Sequence, residues 1–461
     1  MLTTEENELT TKVGPGTLMG SMLREYWIPA MLTQELPTPD CDPVRVMLLG
    51  EQLVGFRDTS GNVGLIANLC THRGASLFFG RNEENGIRCV YHGWKFDTEG
   101  NCVDMPNEPA ESNFKSRIKA NAYPCVERAG IVWAYMGSRE TPPPLPGFEA
   151  TLLPEGKYIT TMYMRPCNWL QALEGDIDTV HSAFLHGGEQ EPEYFKEGTF
   201  NYYVTVHRSA KFASVDTDYG AIYGGYRPAG PDQNYWRIGQ FLFPFWTSPG
   251  PGVLGKKITN TCWVPMDDSH TMVFGVTAAL DQTMGSGKGR PPERSDFGDF
   301  RDRGFEFLPN TSDWFGRYRM KQNFENDYFI DREEQRELGS YTGISGGAVP
   351  EDTAVQVSMG ETLDRTIEHL GTSDMMIIRT RRRLIDAALA FAKEKATPPG
   401  VDQPDIFGVR SGGVYIPEDA DWLEYIQPLL TAFADHPEID VAIEGGARTK
   451  GLHHKRTPAT N

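Results

Sequence analysis

Four residues constrain this chain more than any others: Cys70-x-His72 and, after sixteen intervening residues, Cys89-x-x-His92. Each pair sits against a turn signal, in Cys70-Thr-His72-Arg-Gly74 and in Cys89-Val-Tyr-His92-Gly93-Trp94. Two such loops, each offering one thiolate and one imidazole, can grip a two-iron cluster from opposite sides. The thiolates then hold one iron and neutral imidazoles the other. Two His in place of two Cys raise the potential above that of an all-cysteine cluster. A structural zinc site is the competing reading, but zinc patterns usually group the cysteines two to four residues apart and bring the histidines later. Here each pair is mixed and the first is split by a single residue, so the spacing favours the cluster.

The flanking sequence reads as a small all-β domain. Residues 43–56 hold two apolar runs split by Gly50-Glu51-Gln52, the pattern of a β-hairpin. Val63–Ala67, Gly86–Val90 and Gly130–Met136 are further strand candidates, and glycine (48) and proline (32) are plentiful enough for many turns. The domain is expected over 27–140, closed by the stiff linker Thr141-Pro-Pro-Pro-Leu-Pro-Gly147. The remainder, 1–26 and 148–461, reads as a larger α+β domain with an antiparallel sheet flanked by helices. Asn168 to Leu185 is helix-compatible, and residues 201–280 alternate like strands. Ser373-Asp374 caps a helix expected to run to about Lys395, and a second helix is expected from Ala420 to Ala434. The tail after Gly445 is polar and reads as mobile. Gly250-Pro-Gly252-Val-Leu-Gly255 matches a dinucleotide-loop pattern, but a strand-like run follows it, so it reads as a plain loop.

A net charge of −19 argues against nucleic acid as a partner, since phosphate binding needs a positive surface. Met1–Leu9 carries three glutamates and no apolar core, so it does not read as an export signal. No run approaches the length of a transmembrane helix, about 18 apolar residues. Seven scattered cysteines without an export signal read as thiols or ligands, and the expected compartment is the cytoplasm.

A second constellation follows the linker: Asn168-Trp-Leu-Gln-Ala-Leu-Glu174-Gly-Asp176-Ile-Asp178-Thr-Val-His181-Ser-Ala-Phe-Leu-His186. Two histidines five apart on a helix or helix end can point to nearly the same side. With one carboxylate they make a two-His, one-carboxylate triad that leaves positions open on non-haem Fe(II). A His pair alone is more often packing, but three acids just before it are costly in a mere core helix.

Both strings, together with Trp94-Lys-Phe96, resemble the Rieske oxygenase family. Respiratory Rieske proteins carry an extra disulfide-forming cysteine in each loop, whereas Gly74-Ala75 and Gly93-Trp94 follow the histidines here. Ser340-Tyr-Thr-Gly343, Val357-Ser-Met-Gly360 and Glu368-His-Leu-Gly371 are similar to the phthalate 4,5-dioxygenase-like oxygenases made of α subunits alone, O-demethylase relatives included. The resemblance implies a [2Fe–2S] cluster on Cys70, His72, Cys89 and His92, and mononuclear Fe(II) on His181, His186 and a downstream Asp. For that Asp it favours Asp352, in Pro350-Glu-Asp352-Thr-Ala-Val-Gln356, over Asp331. It casts Asp178 as the bridge between centres on neighbouring chains of a homo-oligomer, a trimer or stacked trimers. It also implies O2, an aromatic acid substrate and a separate ferredoxin-type or flavin reductase. Arg208, Lys211, Arg227 and Arg237 are the candidates for holding the carboxylate. The glycine-rich Tyr219–Arg227 would leave room for a bulky substrate or mark a strand kink. Ring dihydroxylation and O-demethylation of a methoxylated aromatic acid fit the same ligands. An iron–sulfur electron carrier without oxygenase activity is the alternative of another class, and it would not need His181 or His186.

Overall fold

In the first part of the chain, short apolar runs broken by turns pair as antiparallel sheets. The structure is a computed structural model that describes residues 1–109, 111–186, 192–195, 197, 200–250, 252–279, 305–336 and 340–432. The early strands are β1 (Trp27–Leu32), β2 (Val44–Leu48), β3 (Glu51–Arg57), β4 (Val63–Ala67), β5 (Arg81–Asn82), β6 (Ile87–Arg88), β7 (Lys95–Phe96), β8 (Cys102–Asp104), β9 (Ala122–Tyr123), β10 (Cys125–Arg128) and β11 (Ile131–Tyr135). They form three sheets, β1-β11-β10, β2-β3-β4-β9 and β5-β6-β7-β8. The expected hairpin is β2–β3, but its turn is Leu49-Gly50, because Glu51 and Gln52 already pair with Leu48 and Met47. Both turn residues have positive φ, 46° and 76°, the hairpin turn whose twist matches its strands. Leu49 is a poor residue for that conformation, and its complete burial compensates. The strand expected over Gly86–Val90 is only β6, since the chain turns away at Cys89.

The larger part is built on one antiparallel sheet of eight strands. These are β12 (Tyr158–Arg165), β13 (Lys211–Thr217), β14 (Gly220–Pro228), β15 (Gln233–Leu242), β16 (Trp246–Ser248), β17 (Lys257–Pro265), β18 (Thr271–Ala279) and β19 (Gly412–Pro417). The order is β12-β18-β17-β16-β15-β14-β13. Ten-residue β15 shares one edge between two partners, Gln240–Leu242 with β16 and Gln233–Ile238 with β19. Around it lie α1 (Thr4–Thr11), α2 (Leu18–Leu23), α3 (Trp169–Ile177), α4 (Phe200–Val206), α5 (Arg332–Arg336), α6 (Ala348–Ser358), α7 (Met375–Glu394) and α8 (Trp422–Leu430). The helix expected from Ala420 to Ala434 is shorter at both ends: α8 starts after its cap Asp421 and stops at Leu430, where Thr431 takes an extended backbone; the polar tail lies outside the described residues. Gly250, Gly252 and Gly255 lie between β16 and β17, not before a helix.

Strand alternation sends Tyr223 and Phe241 into the main core, while Ile222, Trp236 and Ile238 form a separate core against α8. A third core, including Phe56, Ile66, Cys70, Cys89, Trp94 and Phe96, lies beneath the two Cys/His loops. Buried Glu174 on α3 ties distant segments together. It accepts hydrogen bonds from Arg365 (Nη2, 3.0 Å) and Arg381 (Nε, 2.6 Å), and Arg381 also pairs with Glu368. Within the described residues no helix is long and apolar enough to cross a membrane.

Candidate metal centres and substrate pocket

The two Cys/His loops are one backbone turn used twice. Cys70 N donates to Ala75 O (2.8 Å) and Gly74 N to Cys70 O (2.9 Å). Cys89 N donates to Trp94 O (2.8 Å) and Gly93 N to Cys89 O (2.9 Å). In both, the residue four after the cysteine is a glycine with positive φ, 74° at Gly74 and 82° at Gly93. The histidine alone changes place within the turn. The His72 and His92 rings meet edge to face at 4.4 Å, and Trp94 stacks on His72 at 4.4 Å. Burial pushes the Cys70 thiol up to about 11, and Cys89 lies beside it. His72 Nδ1 is buried without a partner. Burial, with the charges of His72 and Arg73, holds His92 below the ordinary histidine value and so favours a neutral ring. Two adjacent buried thiols and an orphaned imidazole nitrogen suit a metal cluster, which would take both thiols as thiolates.

The second constellation does not continue as one helix. Asp178 adopts an extended backbone (φ −74°, ψ 116°), and its carboxylate accepts from Val180 N at 2.8 Å. That local bond competes with the helix and ends α3. His181 opens a short 3₁₀ turn and His186 follows it, so a turn brings the imidazoles together where a helix was expected. Their Nε2 atoms lie 3.2 Å apart. Asp352 Oδ1 is 3.5 Å from His181 Nε2 and 3.3 Å from His186 Nε2. His181, His186 and Asp352 are the one set among the described residues whose ligand atoms all lie within 4.8 Å, which fits a two-His, one-carboxylate metal site. Asp331 is not part of it: it is exposed and caps α5 through Glu333 N and Glu334 N.

The imidazole nitrogens that face away from Asp352 each have a carboxylate. Asp178 Oδ2 is 3.6 Å from His181 Nδ1, and Glu351 Oε2 is 2.7 Å from His186 Nδ1. Despite its burial, Asp178 is held below the ordinary carboxylate range by His181 and the Val180 amide. Sequence reasoning missed Glu351, and the signal was the adjacent acid pair Glu351-Asp352. It also missed Arg165, a fully buried cation whose charge helps keep Asp352 ionised and whose Nη1 donates to Gln356. Asp176 is singled out as well: burial and the charge of Asp352 push it up to about 6, and Thr247 donates to it.

The four candidate carboxylate holders do not stay together. Lys211 pairs with Tyr226 across β13–β14 and so lies on the outer face with Ala213 and Val215; it is exposed. A period of two excludes it from the inner face. Arg208 is half-buried, bonded to Tyr341 Oη (3.2 Å) and placed over the Phe184 ring. Arg227 and Arg237 share the inner face with Tyr223 and are 1% and 8% exposed. Arg227 Nε donates to His207 O (2.7 Å) and Arg237 Nε to Pro249 O (3.0 Å). Arg227 Nη1 and Nη2, Arg237 Nη1, Tyr223 Oη and Thr179 Oγ1 are buried without partners among the described residues. Burial, with the like charge of Arg237, draws Arg227 down to about 10. The glycines of Tyr219–Arg227 neither kink the strand nor open space. A Cβ at Gly224 would meet the Trp236 ring at 2.6 Å, and one at Gly225 would meet Thr179 Oγ1 at 2.9 Å.

Two family models match the chain: the Rieske [2Fe-2S] domain over residues 26–124 and the "LigXa C-terminal domain like" family over 134–439. The chain is 42% identical to the 3-chlorobenzoate-3,4-dioxygenase oxygenase subunit of Comamonas testosteroni, covering 92% of this chain and 97% of that protein. It is 36% identical to the phthalate 4,5-dioxygenase oxygenase subunit of Pseudomonas putida, covering 94% and 97%. It is also 36% identical to the 5,5'-dehydrodivanillate O-demethylase oxygenase subunit of Sphingobium sp., covering 60% and 62%. Among solved structures, dicamba monooxygenase bound to dicamba shares the fold, with a TM-score of 0.53 at 16% identity over 81% of this chain and 99% of that one.

Proposed function

The chain belongs to the Rieske non-haem iron oxygenases, and on that premise we propose that it dihydroxylates the ring of an aromatic carboxylate with electrons from a separate NAD(P)H-dependent reductase. It is a terminal oxygenase component, which sets aside the reading as a bare electron carrier. Residues 27–140 are assigned to the cluster domain, and 1–26 with 148–461 to the catalytic domain.

One observation carries the substrate class: Arg227 and Arg237 are buried on one sheet face, with guanidinium nitrogens that have no hydrogen-bond partner and no carboxylate in ion-pair contact among the described residues. Two desolvated cations of the same sign oppose folding unless an anion joins them. A carboxylate matches the planar guanidinium fork and is worth more there than in water. Tyr223 Oη and Thr179 Oγ1 offer further hydrogen bonds to the same ligand.

Cys70, His72, Cys89 and His92 would hold the cluster, and His181, His186 and Asp352 the iron. When bound, the cluster supplies single electrons and the iron supplies open positions for O2. The chain's own residues do the rest. Arg227 and Arg237, almost fully shielded from water, anchor the acid group and so orient the ring. Leu69, Val90 and Tyr91 are 57%, 59% and 57% exposed around the cluster loops, an apolar surface suited to docking. That surface supports association, and from the family resemblance we propose a homo-oligomer, a trimer or stacked trimers, in which His92 of one chain faces Asp178 of the next. None of the seven cysteines is in a disulfide, which suits the reducing cytoplasm.

The O-demethylase relative supports a second reading, hydroxylation of a methoxy carbon followed by loss of formaldehyde. Product analysis with a surrogate reductase and a panel of phthalates, benzoates and methoxybenzoates separates the two. A cis-diol supports dihydroxylation and formaldehyde supports demethylation. Equal turnover of the acids and their methyl esters would refute the carboxylate reading.

A further inference from the structure

We propose that Glu351 is a positioning residue for the mononuclear iron: it fixes the ring of His186 and raises its strength as a ligand, while Asp352, next to it on the same helix, supplies the ligand oxygen. The inference rests on the reading of His181, His186 and Asp352 as the iron site.

Adjacent helical residues point about 100° apart, so an acid pair on α6 can address two different atoms of one imidazole. Asp352 Oδ1 lies 3.3 Å from His186 Nε2, and Glu351 Oε2 lies 2.7 Å from His186 Nδ1. The two carboxylates thus grip opposite nitrogens of one ring. The Nδ1 contact is the shorter, and Nδ1 does not face Asp352. With Nδ1–H donated to Glu351, the Nε2 lone pair is left facing His181 and Asp352, which is the tautomer a metal at that point requires.

Glu351 is itself held. It is 7% exposed, and its other oxygen accepts from Thr342 Oγ1 at 2.6 Å. Thr342 Oγ1 in turn accepts from Ile344 N at 3.1 Å and lies 3.1 Å from Ser340 Oγ. A chain of fixed hydrogen bonds therefore runs from the Ser340–Ile344 loop through Glu351 to His186. His181 has no equivalent support: Asp178 stands 3.6 Å from its Nδ1 and spends its other oxygen on Val180 N. The two imidazoles are thus held unequally. His186 is the more closely held of the two.

The test is iron binding, read apart from turnover. Purified full-length protein is stripped of mononuclear iron, its cluster content is checked by visible absorbance, and Fe(II) is titrated back. The nitric oxide adduct is followed by electron paramagnetic resonance. Glu351→Ala is expected to weaken Fe(II) binding about 10- to 100-fold and to change the anisotropy of the adduct. Glu351→Gln keeps an acceptor of the same shape and is expected to fall between Glu351→Ala and wild type, and Thr342→Val to show a smaller loss in the same direction. Cluster absorbance should not change in any of them. Asp352→Ala must lose the iron outright, and if it does not, the ligand reading itself fails. If Asp352→Ala loses iron while Glu351→Ala and Glu351→Gln bind it with wild-type affinity and an unchanged spectrum, the inference about Glu351 is overturned.

Discussion

Arg227 and Arg237 are buried with unpaired guanidinium nitrogens among the described residues, and the proposal that an anion joins them gives a test at the level of single residues. An unpaired buried cation carries an effective penalty of several kcal/mol. Arg227→Met is therefore expected to leave unfolding stability within about 1 kcal/mol of wild type or to raise it, even though the bond to His207 O is lost. The same substitution should raise KM for the aromatic acid by about 10- to 100-fold, the worth of one charged hydrogen-bonding group. Denaturant titration and steady-state kinetics on one preparation read both. A large loss of stability would mean that Arg227 is structural. At this scale the sequence was an uneven guide. Four basic residues stood out between 205 and 245, and nothing local distinguished Lys211 from Arg227. The pairing of Lys211 with Tyr226 put one outside, and the register of β14 on β15 put the other inside.

Element by element, the periodic segments were legible and their ends were not. The helix expected to reach about Lys395 is α7, Met375–Glu394, although its N-cap residue Asp374 makes no capping bond and accepts from Gly371 N instead, and the hairpin at 43–56 is β2–β3. The helix expected through Leu185 stopped at Ile177, because an acceptor on Asp178 took the Val180 amide. Glu174, one turn earlier on α3, is the residue that holds this element to α7 and to the 361–371 segment. Burial raises its pKa, but Arg365 and Arg381 overcome that and hold it below its ordinary value of 4.5. Its contribution to stability is thus complete above about pH 4.5 and is lost as the pH falls through the lower folded value. Glu174→Gln is expected to cost about 3–5 kcal/mol near neutrality, since it leaves two buried guanidinium groups poorly matched. The gap to wild type should narrow as the pH is lowered below 4.5. Chemical denaturation at pH 7 and pH 4 measures it, and an equal gap at both would show that the charge on Glu174 does not matter.

On the scale of the whole molecule, the metal count and the assembly can be tested together. Intact protein should carry about three irons per chain, and His181→Ala about two, with the cluster spectrum kept. If electrons pass between chains, a His181→Ala chain and a chain lacking a cluster ligand, Cys70→Ser, are each inactive alone. Unfolded together, refolded and reconstituted, they should recover part of the activity in mixed oligomers. No recovery, although mixed oligomers are shown to form, would place the electron path within one chain. The sequence by itself determined the chemistry. Cys70, His72, Cys89 and His92 lie close enough in the chain for local turns to assemble them, and the repeated five-residue turn ending at Gly74 and Gly93 is local information. His181 and His186 were legible for the same reason. What only the tertiary structure decided is everything that must cross the chain. Asp352 and Glu351 come to the two histidines from more than 160 residues away, and Glu351 takes the far nitrogen of His186. Which basic residues lie buried on the inner face was settled by strand register. Spacing can specify a turn, but a contact between distant residues exists only once the sheet and the helices around it have packed.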